Sequence, residues 1–130
     1  MTHPVLLLDT HAFLWYATGH VSMSPVARRV ILEAGVVFVS AASAWETRTK
    51  CRLGKLPDAA AVATDIPGVI ARLAFHPLPV LVEDGDLAGA VPGGHGDPFD
   101  RMLAAQALRR SIALVSNDDA LDAFGVTRVW

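Results

Sequence analysis

Four apolar residues, Val5-Leu6-Leu7-Leu8, run without interruption into Asp9, and this junction restricts the chain more than any other stretch. A short continuous apolar run reads as a strand buried on both faces, as in the middle of a parallel sheet. An ionised carboxylate at its end is costly to desolvate unless a cation or hydrogen-bond donors meet it. In open parallel sheets, ligands bind beyond the carboxyl ends of the strands. Nothing about a buried strand calls for an acid there, so the remaining sequence is read for what gathers around Asp9.

Two more runs have the same character, 36–39 and 112–116, the first rich in the β-branched and aromatic residues that strands favour. Helical patterns lie between them. One covers 11–18 and stops at Gly19, and its Phe13, Leu14, Trp15 and Tyr16 read as core rather than as a stacking platform. A second begins with Ser24 as cap and Pro25 in the first turn and ends at Gly35. A third covers 40–52 and is closed by Gly54. Residues 57–75 read as helical with a break near Asp65-Ile66-Pro67. Segment 77–80 is at most a short or edge strand, because proline donates nothing to a ladder. Residues 83–91 are weakly helical, 92–96 a loop, and Asp97-Pro98 opens the strongest helix, which continues to Arg110. A turn and short helix over 117–124 precede a last strand at 127–130. This alternation predicts an α/β fold with a mainly parallel sheet.

A length of 130 residues suits one domain spanning 1–130, and 52% hydrophobic residues allow helices on both sides of the sheet. Asp9 interrupts the longest early apolar candidate, so no run is expected to cross a membrane. The start, Met1-Thr2-His3-Pro4, carries no Lys or Arg ahead of its apolar stretch, against a secretory signal. Cys51 is the single cysteine, which excludes an internal disulfide and a cysteine-based zinc site. The expected setting is cytoplasmic. A net charge of −2 does not by itself mark a nucleic-acid binder.

The placement of the acids says more. Asp9 ends one strand and Asp118 follows another, while Glu46 lies about two turns into the helix after 36–39. Asp97 and Asp100 open the helix leading into 112–116. Parallel strands open on one sheet edge, so these carboxylates converge there and repel one another. A hard, oxygen-seeking cation such as Mg²⁺ or Mn²⁺ is the natural neutraliser. Each acid also has an ordinary reading. Asp97 can cap its helix, Asp100 can complement the helix dipole, Glu46 can pair with Lys50 four residues on, and Asp118 or Asp119 can cap the short helix. His11 and His95 read as hydrogen-bonding groups ahead of ligands. Thr10, Ser40, Ser43 and Ser116 are candidates for orienting a water or a carboxylate.

These stretches resemble the PIN-domain ribonucleases, in particular VapC-type toxins of bacterial toxin–antitoxin pairs. Leu7-Leu8-Asp9-Thr10-His11-Ala12-Phe13-Leu14-Trp15 is similar to the family's opening motif. Segment 39–56 with Ser43, Glu46 and Lys50 is similar to the second, 95–107 with Asp97, Asp100 and Arg101 to the third, and Leu114-Val115-Ser116-Asn117-Asp118 to the fourth. The likeness covers nearly the whole chain in the expected order. Gly96 departs from the pattern, standing where relatives often carry a basic residue, and Arg48 stands where they often carry an apolar or small one.

The resemblance implies a three-layer α/β/α sandwich and a metal-dependent endoribonuclease. It places the catalytic and metal-binding acids at Asp9, Glu46, Asp100 and Asp118, with Asp97 as a fifth ligand and Mg²⁺ or Mn²⁺ as cofactor. It also implies a homodimer held inactive by a cognate antitoxin. Lys50, Arg48 and Arg101 are then expected to contact the RNA backbone, with Thr10, Ser43 and Ser116 in support. Two rivals remain. A phosphatase using Asp9 as nucleophile ordinarily needs a second acid two residues on, where this chain has His11. A receiver-like Mg²⁺-binding module that only signals has little use for Glu46 and Asp100.

Overall fold

The computed structural model describes residues 3–130; Met1 and Thr2, part of the stretch read for a signal, lie outside the described residues. Five strands form one sheet in the order β3-β2-β1-β4-β5: β1 (Val5–Leu8), β2 (Val36–Ser40), β3 (His76–Leu78), β4 (Ala113–Val115) and β5 (Arg128–Val129). Every pairing among the described residues is parallel, with Leu7 opposite Phe38 on one side and Leu114 on the other. The apolar run after Pro4 is therefore central because both its edges are paired and both its faces are covered. Proline-containing β3 takes the sheet edge, the place where a residue without an N–H donor is tolerated.

Side chains alternate across the sheet. Leu6 and Leu8 pack on one face with Phe13, Ile31, Val37, Val39, Ile66 and Ile70. These come partly from α1 (Thr10–Thr18), α2 (Pro25–Glu33) and α5 (Ile66–Arg72). Leu7 packs on the other face with Leu103, Ala104, Ala107 and Leu114, beneath α6 (Val82–Ala90) and α7 (Pro98–Arg110). The result is the three-layer α/β/α sandwich. Helices α3 (Ala41–Arg52) and α4 (Ala60–Ala63) complete the α-helical set, with 3₁₀ turns at Pro57–Ala59 and Asp119–Phe124.

The expected elements are present, with shorter strands at β4 and β5 and with the 57–75 helical segment in three pieces. Asp65 caps the last of these, accepting from the Gly68 N–H, and this explains the break. No helix is long and apolar enough to cross a membrane among the described residues.

In the sheet, β1 leads outward to β2 and β3, then the chain returns to β4 on the opposite side of β1. Such a reversal opens a crevice at the carboxyl ends of the two strands. Asp9 directly follows β1, and Asp118 lies shortly after β4.

Candidate metal centre

Asp9 has two structural duties at once, its N–H donating to the Val115 carbonyl at 3.0 Å and its side chain capping a helix. The strand passes into α1 without a loop, and Asp9 is the helix cap, its carboxylate accepting the Ala12 N–H at 2.8 Å. The expectation that nothing local calls for an acid here is thus corrected: a strand that turns directly into a helix needs a capping oxygen at that position. Capping does not require a charge, since Asn or Ser does it as well. The carboxylate is only 5% exposed. Burial pushes its pKa up to about 6, against the hydrogen bonds from Ser116 and Ala12, which favour the charged form.

Asp9 lines a cavity of about 380 Å³ with Thr10, His11, Glu46, Lys50, Asp97, Asp100, Asn117 and Asp118. All five candidate acids meet there, drawn from the ends of β1 and β4 and the first halves of α3 and α7. Each is placed by a local device. Ser40 caps α3 through the Ala42 N–H, and Glu46 follows on that helix. The buried Glu46 accepts from the Thr10 hydroxyl, which also lies 3.0 Å from Ser43 Oγ. Its other oxygen takes Lys50 Nζ at 2.5 Å. Asp97 caps α7, one oxygen accepting from the Phe99 and Asp100 N–H groups. Asp118 caps the last 3₁₀ turn through Ala120, and its own N–H donates to Ser116 Oγ. The ordinary readings and the ligand readings of these acids are therefore compatible, because a carboxylate has a second oxygen to offer.

Charge is unevenly matched inside the cavity. Five carboxylates face one lysine, whose pKa burial lowers but the Glu46 hydrogen bond and the surrounding acids raise on balance. Asp100 is shifted upward, first by burial and then by Asp97 and Glu46 nearby, against the hydrogen bond from His95.

His95 takes the hydrogen-bonding role expected of it, on Asp100, with a second candidate acid, Asp118, close by. Its Nε2 lies 2.8 Å from Asp100 and 3.6 Å from Asp118. The hydrogen bond to Asp100 raises its pKa, with the neighbouring acids adding to the effect against burial. One potential ligand atom from each of His95, Asp100 and Asp118 lies within 4.8 Å of the other two. The loop sequence Pro92-Gly93-Gly94-His95-Gly96 carries little signal for this. Its position is set by Arg101, whose guanidinium donates to the carbonyls of Ala88, Val91 and His95 and sits over the Phe124 ring.

Arg101 is thus committed to holding a loop and does not line the acidic cavity. Arg48 is also elsewhere, donating to the Ala63 carbonyl at 2.7 Å beside Cys51 and Arg52. Glu46 and Lys50, four apart, share one helix face, whereas Arg48, two residues from either, is carried round to the far side. Of the three basic residues expected to meet RNA, only Lys50 lines the cavity.

The donor set is oxygen with one imidazole, the hard kind that suits Mg²⁺ or Mn²⁺. Buried Asp9, its pKa raised, adds a carboxylate that lacks its own counter-ion. The residues therefore fit a divalent cation.

A parallel α/β/α sandwich with strand-end acids converging at the sheet reversal defines the class, that of α/β proteins with an acidic crevice at the carboxyl ends of their strands. The chain belongs to the PIN domain family, whose pattern it matches over residues 6–126. Solved structures share the fold. FitAcB from Neisseria gonorrhoeae is similar at 17% identity, covering 96% of each chain with a TM-score of 0.68. VapBC2 from Rickettsia felis, bound to a DNA fragment from its promoter, has 12% identity, covers 96% of this chain and 97% of that one, and has a TM-score of 0.68. VapC20 from Mycobacterium tuberculosis, described as a toxin cleaving the sarcin–ricin loop, has 19% identity, covers 95% and 98%, and has a TM-score of 0.66. A comparison with curated protein sequences finds no match.

Proposed function

We propose that the protein is a metal-dependent endoribonuclease, the toxin of a toxin–antitoxin pair. The observation that carries this reading is the convergence of Asp9, Glu46, Asp97, Asp100 and Asp118 on one crevice with a single lysine among them. Asp9, Asp100 and Asp118 are the proposed metal ligands, with Glu46 and Asp97 beside them and His95 able to join Asp100 and Asp118. When bound, a divalent ion supplies an acidified water and positive charge for the scissile phosphate.

The chain's own residues set the conditions. Ser116 and the Ala12 N–H favour the charged form of Asp9. Thr10 and Lys50 orient Glu46, and Ser43 supports Thr10 from below. Lys50 is the proposed contact to an RNA phosphate, which positions substrate without selecting sequence. A contact from Arg48 or Arg101 requires those side chains to give up carbonyl partners they now hold. Single-stranded or looped RNA fits an open crevice better than a duplex, whose reactive groups are less accessible. Family membership and the likeness to FitAB and VapBC proteins support an antitoxin partner. A homodimer and a cytoplasmic setting belong to the same reading.

The test is cleavage of RNA by the purified chain with Mn²⁺, with Mg²⁺ and with chelator. Cleavage that needs the metal and is lost in Asp100→Asn is expected. Metal-independent cleavage, or unchanged activity in that variant, rejects the reading.

A further inference from the structure

A second cavity adjoins the acidic one. Its volume is about 290 Å³ and its lining includes His11, Leu14, Trp15, Thr18, His20 and Lys55. His11 also lines the acidic cavity. The two hollows therefore share a wall, and one ligand can occupy both if it carries two different groups joined by a short link.

The local sequence builds this cavity from two matching helix ends. Helix α1 ends where Gly19 turns left-handed at φ 66°, and the next N–H, that of His20, donates back to the Trp15 carbonyl at 2.9 Å. Helix α3 ends where Gly54 turns left-handed at φ 73°, and the N–H of Lys55 donates back to the Lys50 carbonyl at 2.8 Å. Glycine is suited to both turns because a side chain there is strained. The returns bring His20 and Lys55 to line one hollow at the negative ends of two helices, where a cation is favoured.

The aromatic groups are organised round Trp15. His20 stacks on it at 5.6 Å with 21° between planes, His11 lies at 5.3 Å and Trp130 at 5.8 Å. His20 Nδ1 accepts the Ser22 N–H at 3.0 Å. The neutral ring therefore carries its proton on Nε2, as a donor. Trp15 and His20 are only half-buried and His11 is exposed, so these rings do not simply close the core. The reading of Phe13, Leu14, Trp15 and Tyr16 as core holds in full for the buried Phe13 and Leu14, while Trp15 and Tyr16 pack against that core and stay partly exposed.

We propose that this cavity holds the base of an RNA nucleotide next to the scissile phosphate. The inference rests on the ribonuclease reading of the acidic crevice. A planar base stacks on ring faces whatever its identity, and its edge acceptors suit the His20 Nε2–H. The volume is near the lower end for small-molecule sites, roughly 300 Å³, which favours one ring system over a peptide segment. Lys50 lines the acidic hollow and Lys55 the aromatic one, so each of the two hollows carries one lysine. Asp58 also lines this cavity and disfavours a phosphate inside it, which leaves it to the base.

The experiment uses single-stranded oligoribonucleotides with one cleavage site, intact or lacking the base on either side of it. In Mn²⁺, His20→Ala is expected to lower kcat/KM about tenfold, the scale of one lost stacking contact. Removing the base on one side is expected to lower it by a similar factor for the wild type, and His20→Ala then adds nothing on that substrate. Lys55→Ala, at an exposed position, checks the same cavity without risk to folding and is expected to lower kcat/KM a few-fold. Equal losses from His20→Ala on intact and base-less RNA overturn the proposal, as does an unchanged kcat/KM in both variants. Anisotropy of the labelled oligonucleotides separates this inference from the one beneath it. Base-dependent binding without cleavage removes the nuclease reading and leaves the subsite. Cleavage indifferent to the neighbouring bases does the reverse. Absence of both binding and cleavage overturns both.

Discussion

Two carboxylates in this molecule are almost equally inaccessible and have opposite fates. Asp84, at the start of α6, is 0% exposed and receives Arg109 at 2.6 Å, Arg110 through two bonds at 2.8 and 3.0 Å, and donates support to its own helix by accepting the Leu81 N–H. Burial alone raises its pKa, but these partners more than reverse that and hold it below the ordinary range. Asp9 is 5% exposed, has no comparable cation, and is pushed up to about 6. Both are buried acids; the difference is whether the protein supplies the counter-charge. Where it does, the acid ties α6 to α7 and its role is structural. Where it does not, the ionised form is left to a charge from outside, which under the proposed function is a divalent cation.

The largest expected effect separates the two acids by activity. Asp9→Asn is expected to lower RNA cleavage in Mn²⁺ by about 100-fold or more, since even supporting groups around a metal are commonly worth about 10–100-fold. It keeps the helix cap, so circular dichroism of the variant stays that of the wild type. Asp84→Asn is expected to leave cleavage per folded molecule within about twofold. A comparable loss of cleavage in folded Asp84→Asn contradicts the division of roles.

Stability orders them the other way. Removing Asp84's charge leaves two guanidiniums without their partner. Loss of about 3 kcal/mol in denaturant unfolding is expected, at the low end for broken buried pairs because both arginines retain some access to water. Asp9→Asn is expected to stabilise the metal-free protein at pH 7.5 by about 1–3 kcal/mol, the linkage carried by a rise of its pKa to about 6. The signs follow from the shifts. Asp9's folded pKa lies above its unfolded value, so ionising it costs stability that is absent below about pH 4, builds up to about pH 6 and is complete above. The gain from Asp9→Asn should vanish at pH 4. Asp84's folded pKa lies below its unfolded value, so its contribution is complete above about pH 4 and fades only as pH falls further. Urea melts of both variants at pH 4 and 7.5 sharpen the contrast; a pH-independent gain in Asp9→Asn breaks it.

The smallest effect concerns the basic residues. Lys50→Ala is expected to reduce cleavage about tenfold, as one phosphate contact and the Glu46 partner are lost. Arg48→Ala is expected to change it less than about twofold, its guanidinium being turned to the Ala63 carbonyl. Parallel kinetics of the two variants check the ordering.

These contrasts also show what the chain discloses before it folds. The parallel sheet and the edge position of the proline-bearing strand follow from short apolar runs and a missing donor, both local properties. Convergence of Asp9 and Asp118 follows from parallel strands sharing an open end. Asp9's capping role is not local in the same way, because it depends on the strand passing into a helix with no intervening loop. Asp84 reads as one of several acids in a weakly helical stretch, and its burial appears only when Arg109 and Arg110, some 25 residues on, close over it. His95 lies in a glycine-rich loop with no periodicity, positioned by an arginine that bonds backbone carbonyls rather than a motif. Arg48 illustrates the opposite error, adjacency in sequence standing in for adjacency in space.

Under the proposed function, a divalent cation completes the acids around Asp9, a charge that the chain does not supply from its own side chains. Thermal unfolding of the metal-free protein at pH 7.5, titrated with Mn²⁺, tests this most directly. The melting temperature is expected to climb with Mn²⁺ concentration as mass action requires, and to climb much less in Asp9→Asn and Asp100→Asn, with Asp84→Asn retaining the wild-type increment. An equal increment in all four proteins, or none in the wild type, contradicts it.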